Sequence, residues 1–459
     1  MDAGYESRKR ELLEECQVAP QVFERVLPRL ETFMKPFVES FVRREQHEHA
    51  STFVQGLLSD LEDKNVESIA YRFGQERLPL QWFVGTSAWD HEPLRDELVR
   101  QVGEALGEDA GVIVFDPSAF AKSGKDSVGV ARQWCGRLGK VDNCQVAIYM
   151  GYVSSQEHAL VDTRLYLPKA WATDSKRRVK AGVPKSARYR TRHQLCLEML
   201  AAHGEQLPHA WIAGDDEMGR PYWFRKRLDT LGEQYLLAVP SNTTVRDSEV
   251  APPEYSGRGR HPKRPWTRVD EWVKSLSDQD WITVDVRDGS KGPLVVEVVK
   301  RRVMGRTDKR QEGHEEVLVV IRFRQRDTQR VVQTDYYLSN ATADTSEVEF
   351  ARVAKAEHRI EECIQRCKSE AGLGDYEVRN WVGWHHHQIL SLIATWFLVT
   401  EARRGKKMDS GDYGSTDSRG HQLHPTTQPR MRYPLPHTSR TRAATEAQRT
   451  CSPISLEAA

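Results

Sequence analysis

A mixed α/β fold is what this sequence predicts, on three observations. In the middle of the chain, short apolar runs bounded by turn residues alternate with amphipathic stretches. A block of β-branched, roughly alternating segments then occupies residues 265–340. Helical periodicity lies on either side of both blocks. At 459 residues the chain has room for two or three domains and a large buried core.

Residues 1–107 read as a helical N-terminal domain. In "FVESFVRREQHEHASTFVQGLLSDL", Phe37, Phe41, Phe53 and Leu57 recur at roughly helical spacing. "SAWDHEPLRDELVRQVGEAL" offers Ser87 and Asp90 as caps, Pro93 in a first turn, and Leu94, Leu98 and Val99 on one face. At residue 111 the texture changes. "VIVFD" reads as a buried strand, with Pro117 expected to end it immediately after Asp116. "CQVAIYMGYVSS" (144–155) and "HALVDTRLYLP" (158–168) read as a second and third strand, paired as a hairpin. A helix over about 186–203 stops at Gly204. "HAWIAGDDE" is the fourth strand, "GRPYWFRKRLDTLG" a helix between Pro221 and Gly232, and "QYLLAVPS" the fifth strand.

Three strands, helix, strand, helix, strand is the order of a ribonuclease H-like core. That fold is a mixed five-stranded sheet with helices on both faces, in which strands 1 and 4 are neighbours. Strand 1 ends at Asp116 and strand 4 at Asp215. Parallel neighbours would bring both carboxylates to the sheet edge where open α/β sheets place their ligands.

From residue 242 the chain differs again. "GRGRHPKRPW" (257–266) is a basic, Gly/Pro-rich link, and "WITVDV", "PLVVEVVKRRV", "EEVLVVIRFRQ" and "VVQTDYYLSN" predict an inserted antiparallel β subdomain. "SEVEFARVAKAEHRIEECIQRCKSEAGL" restores helical period, with Phe350, Val353, Ile360, Ile364 and Cys367 in one stripe. The run Ile389–Val399 is short of the roughly 20 residues a membrane span needs and reads as a core helix. The expected organisation is a helical domain (1–107), a first core part (108–241), the β insertion (242–342), C-terminal core helices (343–404) and a disordered basic tail (405–459).

With 67 basic and 66 acidic side chains the net charge is +1, so a nucleic-acid surface must be a local patch. Seven scattered cysteines fit a reducing cytoplasm rather than a disulfide scaffold. The amino terminus "MDAGYESRKRELLEE" lacks an apolar signal core, and the expectation is a cytoplasmic protein with no membrane partner.

Two aspartates at adjacent strand ends, with a third acid from a later helix, are what two-metal phosphoryl transfer requires. Mg²⁺ takes hard oxygen ligands, and two ions about 4 Å apart serve the attacking and leaving oxygens. Here the sequence resembles the DDE-type transposases of bacterial insertion sequences whose ribonuclease H-like core carries a β insertion. The resemblance rests on "FDPSAFAKSGKDSVGVARQWCGRLGKVDNCQVAIYMGYVS", "LYLPKAWATD", "WIAGDDEMGR", "YLLAVPSNT" and "RIEECIQRCKSEAGLGDYEVRNWVGWHHH", in that order, over roughly residues 30–402.

The resemblance implies Asp116, Asp215 and Glu361 as catalytic, metal-binding acids, and Mg²⁺ or Mn²⁺, in two ions, as cofactor. Its lysine seven residues after the glutamate falls on Lys368, a phosphate contact. The pattern also departs from the family. Glu357 stands where an arginine is expected, Ala354 where a tyrosine is, and His358 where a tryptophan is usual. Among Glu357, Glu361 and Glu362 the spacing to Lys368 favours Glu361.

Lys122 and Lys125, just after the first aspartate, and Arg258, Arg260, Lys263 and Arg264 in the basic link are further candidates for the DNA backbone. The basic link has a plainer reading as a solvated linker. Cys363, Cys367 and the triplet His385, His386 and His387 match no common zinc module. The triplet is expected to cap the apolar helix or face DNA.

The expected function is a transposase that binds terminal inverted repeats as a homodimer, cleaves double-stranded DNA at the element ends and joins the 3′-hydroxyl to target DNA. A catalytically silent DNA-binding descendant and a nuclease without strand transfer are the alternatives.

Overall fold

The helical periodicity of the first hundred residues resolves into α1 (Val26–Val38), α2 (Arg44–Leu57), α3 (Val66–Arg72), α4 (Arg77–Gly85) and α5 (Glu92–Leu106). The structure, a computed structural model, describes residues 25–289, 292–324 and 330–409. The spacing through Phe37, Phe41, Phe53 and Leu57 spans two helices rather than one. The chain turns after α1 because Phe41 drops inward, where its ring meets Trp89 and Phe83 edge-on at 5.1 and 5.9 Å. Asp90 caps as expected, its Oδ1 accepting from the Glu92 N–H at 3.0 Å, and Leu94, Leu98 and Val99 are fully buried.

The central strands are β1 (Val112–Ala121), β2 (Ala131–Cys135), β3 (Lys140–Val153) and β4 (His158–Leu165). Then come α6 (Lys169–Thr173), α7 (Ser175–Lys180), α8 (Arg192–His203), β5 (Trp211–Gly214), α9 (Asp216–Gly219), α10 (Tyr222–Leu231) and β6 (Tyr235–Ala238). Their lateral order is β4-β3-β1-β5-β6. β1 is antiparallel to β3 and parallel to β5, and β5 is parallel to β6.

Three expectations change here. β1 does not stop at Pro117 but pairs with β3 as far as Ala121. Pairing with β5 ends at Phe115, so Pro117 can direct its missing N–H at an open edge and forfeits no ladder bond. The short strand β2, polar and alternating, was not expected; it pairs with the first residues of β3. The helix expected from residue 186 begins at Arg192, where the Thr191 side chain caps the Gln194 N–H.

The insertion supplies β7 (Thr244–Asp247), β8 (Thr267–Arg268), α11 (Val269–Lys274), β9 (Ile282–Gly289), β10 (Gly292–Arg306), β11 (Glu312–Arg324) and β12 (Val331–Ser339). β12 pairs antiparallel with β6, so the inserted strands continue the central sheet. They close a small core of their own from Trp272, Val303, Leu318, Val320 and Leu338.

Two long helices complete the fold, α12 (Glu347–Glu370) and α13 (Trp381–Asp409). The predicted stripe of α12, Phe350 to Cys367, is buried. A Cβ at Gly151 of β3 would collide with the Ile360 side chain, so the glycine lets α12 settle on the sheet. α13 extends past Arg404 into the segment expected as tail; residues 410–459 lie outside the described residues.

The histidine triplet does not face DNA. His385, His386 and His387 are 7, 1 and 1% exposed. Both nitrogens of His386 meet backbone carbonyls, of Val84 and Trp89, at 3.0 and 2.9 Å. Burial holds the imidazoles of His386 and His387 down at about 4, so each is neutral; His386 ties α13 to the N-terminal helices, and His387 ties it to Gly372 at 2.9 Å. Among the described residues no helix is long and apolar enough to cross a membrane.

Candidate active site

Parallel pairing sets the first two acids side by side. Phe115 of β1 is in register with Gly214 of β5, and Asp116 and Asp215 are the next residue on each strand. Neighbouring strands lie about 4.8 Å apart, which puts the two backbones within one side chain's reach. Gly214 makes the approach possible, since a Cβ there would sit 3.0 Å from the Phe115 carbonyl oxygen. Asp215 leaves its strand as the cap of α9, Oδ1 accepting from the Met218 N–H at 3.0 Å.

Alternation along β1 places Asp116, Ser118 and Phe120 on one face, and α12 lies over that face. Lys368 fixes its rotation: Nζ donates to Ser118 Oγ at 2.8 Å and lies 5.0 Å from the centre of the Phe120 ring. Glu361, two turns earlier, stands at the rim. Its side chain is 65% exposed and meets His358 Nδ1 at 3.5 Å, while Glu362 takes His358 Nε2 at 3.3 Å. Glu357, a turn before Glu361, is partly buried.

The electrostatics tie these groups together. Burial, then the charges of Asp215 and Glu361, push the Asp116 carboxyl well above the usual range, and Lys368 opposes them. Asp215 is pushed up to about 7 by burial and by Glu217 and Asp216, against the Met218 hydrogen bond. Glu357 is raised well above the usual range by burial, then by Asp215, Asp116, Asp335 and Glu361. These carboxylates disfavour one another's charge in a partly dry place.

Among the described residues, no three His, Cys, Asp or Glu side chains already stand close enough to hold a metal ion. The donors nonetheless fit a hard divalent cation in kind, being carboxylate oxygens from the middle of β1, the residue after β5 and one helix. Zinc chemistry has no such support, because Cys363 and Cys367 are buried free thiols within the helix packing.

A cleft of about 550 Å³ opens beside Asp215, walled by Trp134, Arg192, His193 and Arg220 and floored by Pro117 and Ala119. Trp134 is 55% exposed there. A separate cleft of about 630 Å³ holds Lys122, Arg77 and Arg379. Lys122 lies 3.6 Å over the Tyr376 ring, and burial lowers its ammonium to about 8. Lys125, Arg258, Arg260 and Lys263 are exposed. Lys263 sits 3.6 Å from Glu312, and Arg264 Nε donates to the Val250 carbonyl. Asp116 thus lies within electrostatic reach of Asp215, Glu361 and Lys368, and Glu357 within reach of both aspartates and Glu361, while Lys122 lines the separate cleft.

Comparison with known proteins points the same way. A family model described as a DDE superfamily endonuclease matches residues 36–293, more than half of the 459. That stretch contains Asp116 and Asp215 but stops before α12. The chain is also similar to a "Probable transposase for insertion sequence element IS701" from Microchaete diplosiphon, 26% identical over 247 residues. The similarity covers 52% of this chain and 59% of that protein's length.

Proposed function

The chain belongs to the DDE superfamily endonucleases, and from that premise we propose that it is an insertion-sequence transposase that cleaves DNA at the element ends and joins the freed 3′-hydroxyl to target DNA. The observation that carries this reading is the pairing of Phe115 with Gly214, which sets Asp116 and Asp215 side by side under a helix bearing acids and Lys368. The strand order β4-β3-β1-β5-β6 is that of a ribonuclease H-like core and supports the same reading. So does the transposase named among its relatives.

Asp116, Asp215 and a glutamate of α12, Glu361 by family spacing, would hold Mg²⁺ or Mn²⁺, in two ions. Bound there, the ions would supply a lowered pKa for the attacking water and neutralise charge on the in-line transition state. The chain's own groups do the rest. Ser118 and Phe120 hold Lys368 along the strand, ready for a backbone phosphate. In the neighbouring cleft Trp134 offers a flat exposed ring to the DNA end beside Asp215, while Arg192 and Arg220, paired there with Glu217 and Asp216, would exchange those carboxylates for phosphates. The exposed Arg258, Arg260 and Lys263, with Lys122, Lys125 and Arg264, would meet the backbone further out. Two ends must be joined, so a homodimer on DNA belongs to this reading.

A catalytically silent DNA-binding descendant is favoured by one observation, the acid at position 357 in place of arginine. One experiment separates the readings. End DNA of the element is incubated with the protein in Mg²⁺ or Mn²⁺, and strand cleavage and joining are mapped. Wild type should cut and join, and Asp116→Asn and Asp215→Asn should each lose at least about a thousandfold in cleavage while still binding ends. Equal cleavage by both variants overturns the assignment. Binding without cleavage by wild type establishes the silent descendant, and cleavage without joining establishes a nuclease.

A further inference from the structure

We propose that Glu357 is a metal-binding carboxylate of this site, so that the centre draws on four acids where the family pattern supplies three acids and an arginine. The proposal rests on the reading above and deepens it. Its first support is helix phase. Glu357, Glu361 and Lys368 are separated by four and seven residues, one and two turns, and leave α12 in nearly one direction. Lys368 is bonded to Ser118, two residues beyond Asp116 on the same face of β1, so that direction is toward the aspartates.

The second support is depth. Glu357 is partly buried, while Glu361 and Glu362 are exposed and share His358. The stripe residues on either side of Glu357, Val353 and Ile360, are fully buried, which carries position 357 toward the sheet.

The third support is charge. The strongest electrostatic neighbours of Glu357 are Asp215, Asp116, Asp335 and Glu361, all acids. A partly buried carboxylate placed among other acids is disfavoured in its charged form unless a cation joins them. An arginine at this position would leave the centre three acids against two bases. Glutamate makes it four against Lys368, a balance that calls for more metal charge.

The test is a titration of the full chain with Mn²⁺ alone, without DNA, read from the electron paramagnetic resonance signal of the unbound ion. Wild type, Asp116→Asn, Asp215→Asn, Glu357→Gln, Glu357→Met and Glu361→Gln are compared, with circular dichroism and thermal melting as checks on folding. Both Glu357 variants are expected to weaken Mn²⁺ binding at least about tenfold, as the aspartate variants do. Wild-type affinity in Glu357→Gln and Glu357→Met, with loss in Asp116→Asn, overturns the role of Glu357 and leaves the active-site assignment standing. Wild-type affinity in both aspartate variants overturns that assignment as well.

Discussion

Asp215 is an aspartate whose ordinary value of 3.8 is pushed up to about 7. The sign of its effect on stability follows. The folded chain holds this proton more tightly than the unfolded one, so stability is highest below about pH 4, falls as pH rises, and is fully reduced above about 7. Asparagine keeps the cap on Met218 without the charge, so Asp215→Asn should be more stable than wild type at pH 8 by roughly 1–3 kcal/mol. The gap should close by pH 4, and Mn²⁺ should raise the melting temperature of wild type more than that of the variant. Thermal denaturation across that pH range checks all three; a variant less stable at pH 8 contradicts the account. That Asp116 and Asp215 fall beside one another was legible in the sequence because each follows an apolar run. For Glu357 the apolar stripe of α12 marks depth and says nothing about what lies opposite. Only the lateral order of β1 and β5 shows that aspartates do.

Among the elements, α12 bears the proposed glutamates and Lys368, and its seat depends on Gly151. Gly151→Val would press on Ile360 and lift the helix from β3. The expected cost is about 1–3 kcal/mol in urea denaturation, with cleavage falling further than stability as Glu361 and Lys368 lose register. Unchanged cleavage would mean that α12 does not position the site. The histidine triplet makes an opposite case. His386→Ala should destabilise by about 1–3 kcal/mol, leaving the one buried carbonyl that its single N–H serves without a partner, yet bind DNA as wild type does when folded. A loss of DNA affinity without a loss of stability contradicts the buried role. In sequence these residues looked like a polar opening to an apolar helix; His385 does meet the Trp381 carbonyl one turn back, but His386 meets Val84 and Trp89 and His387 meets Gly372, contacts that no local pattern encodes. The end of β1 was misread for a similar reason. Pro117 stops a strand only where its nitrogen faces a partner, and here β5 has already left.

For the molecule as a whole, near-neutral charge and one continuous sheet matter most. Alternation and turn residues made the inserted strands legible, but their docking was hidden, because pairing of β12 with β6 is a long-range choice. Excision of residues 242–342 should therefore leave β6 as an open edge and yield an aggregating product, measured by size-exclusion chromatography. A well-behaved monomer would show the insertion to be an independent appendage. The central claim is that Asp116, Asp215 and the acids of α12 share divalent cations. Anomalous diffraction at the manganese edge, from crystals grown with Mn²⁺, tests it most directly. The account predicts a peak bridging the carboxylates of Asp116 and Asp215 with a glutamate of α12 in contact. Mn²⁺ bound elsewhere, with those two side chains turned apart, would contradict it.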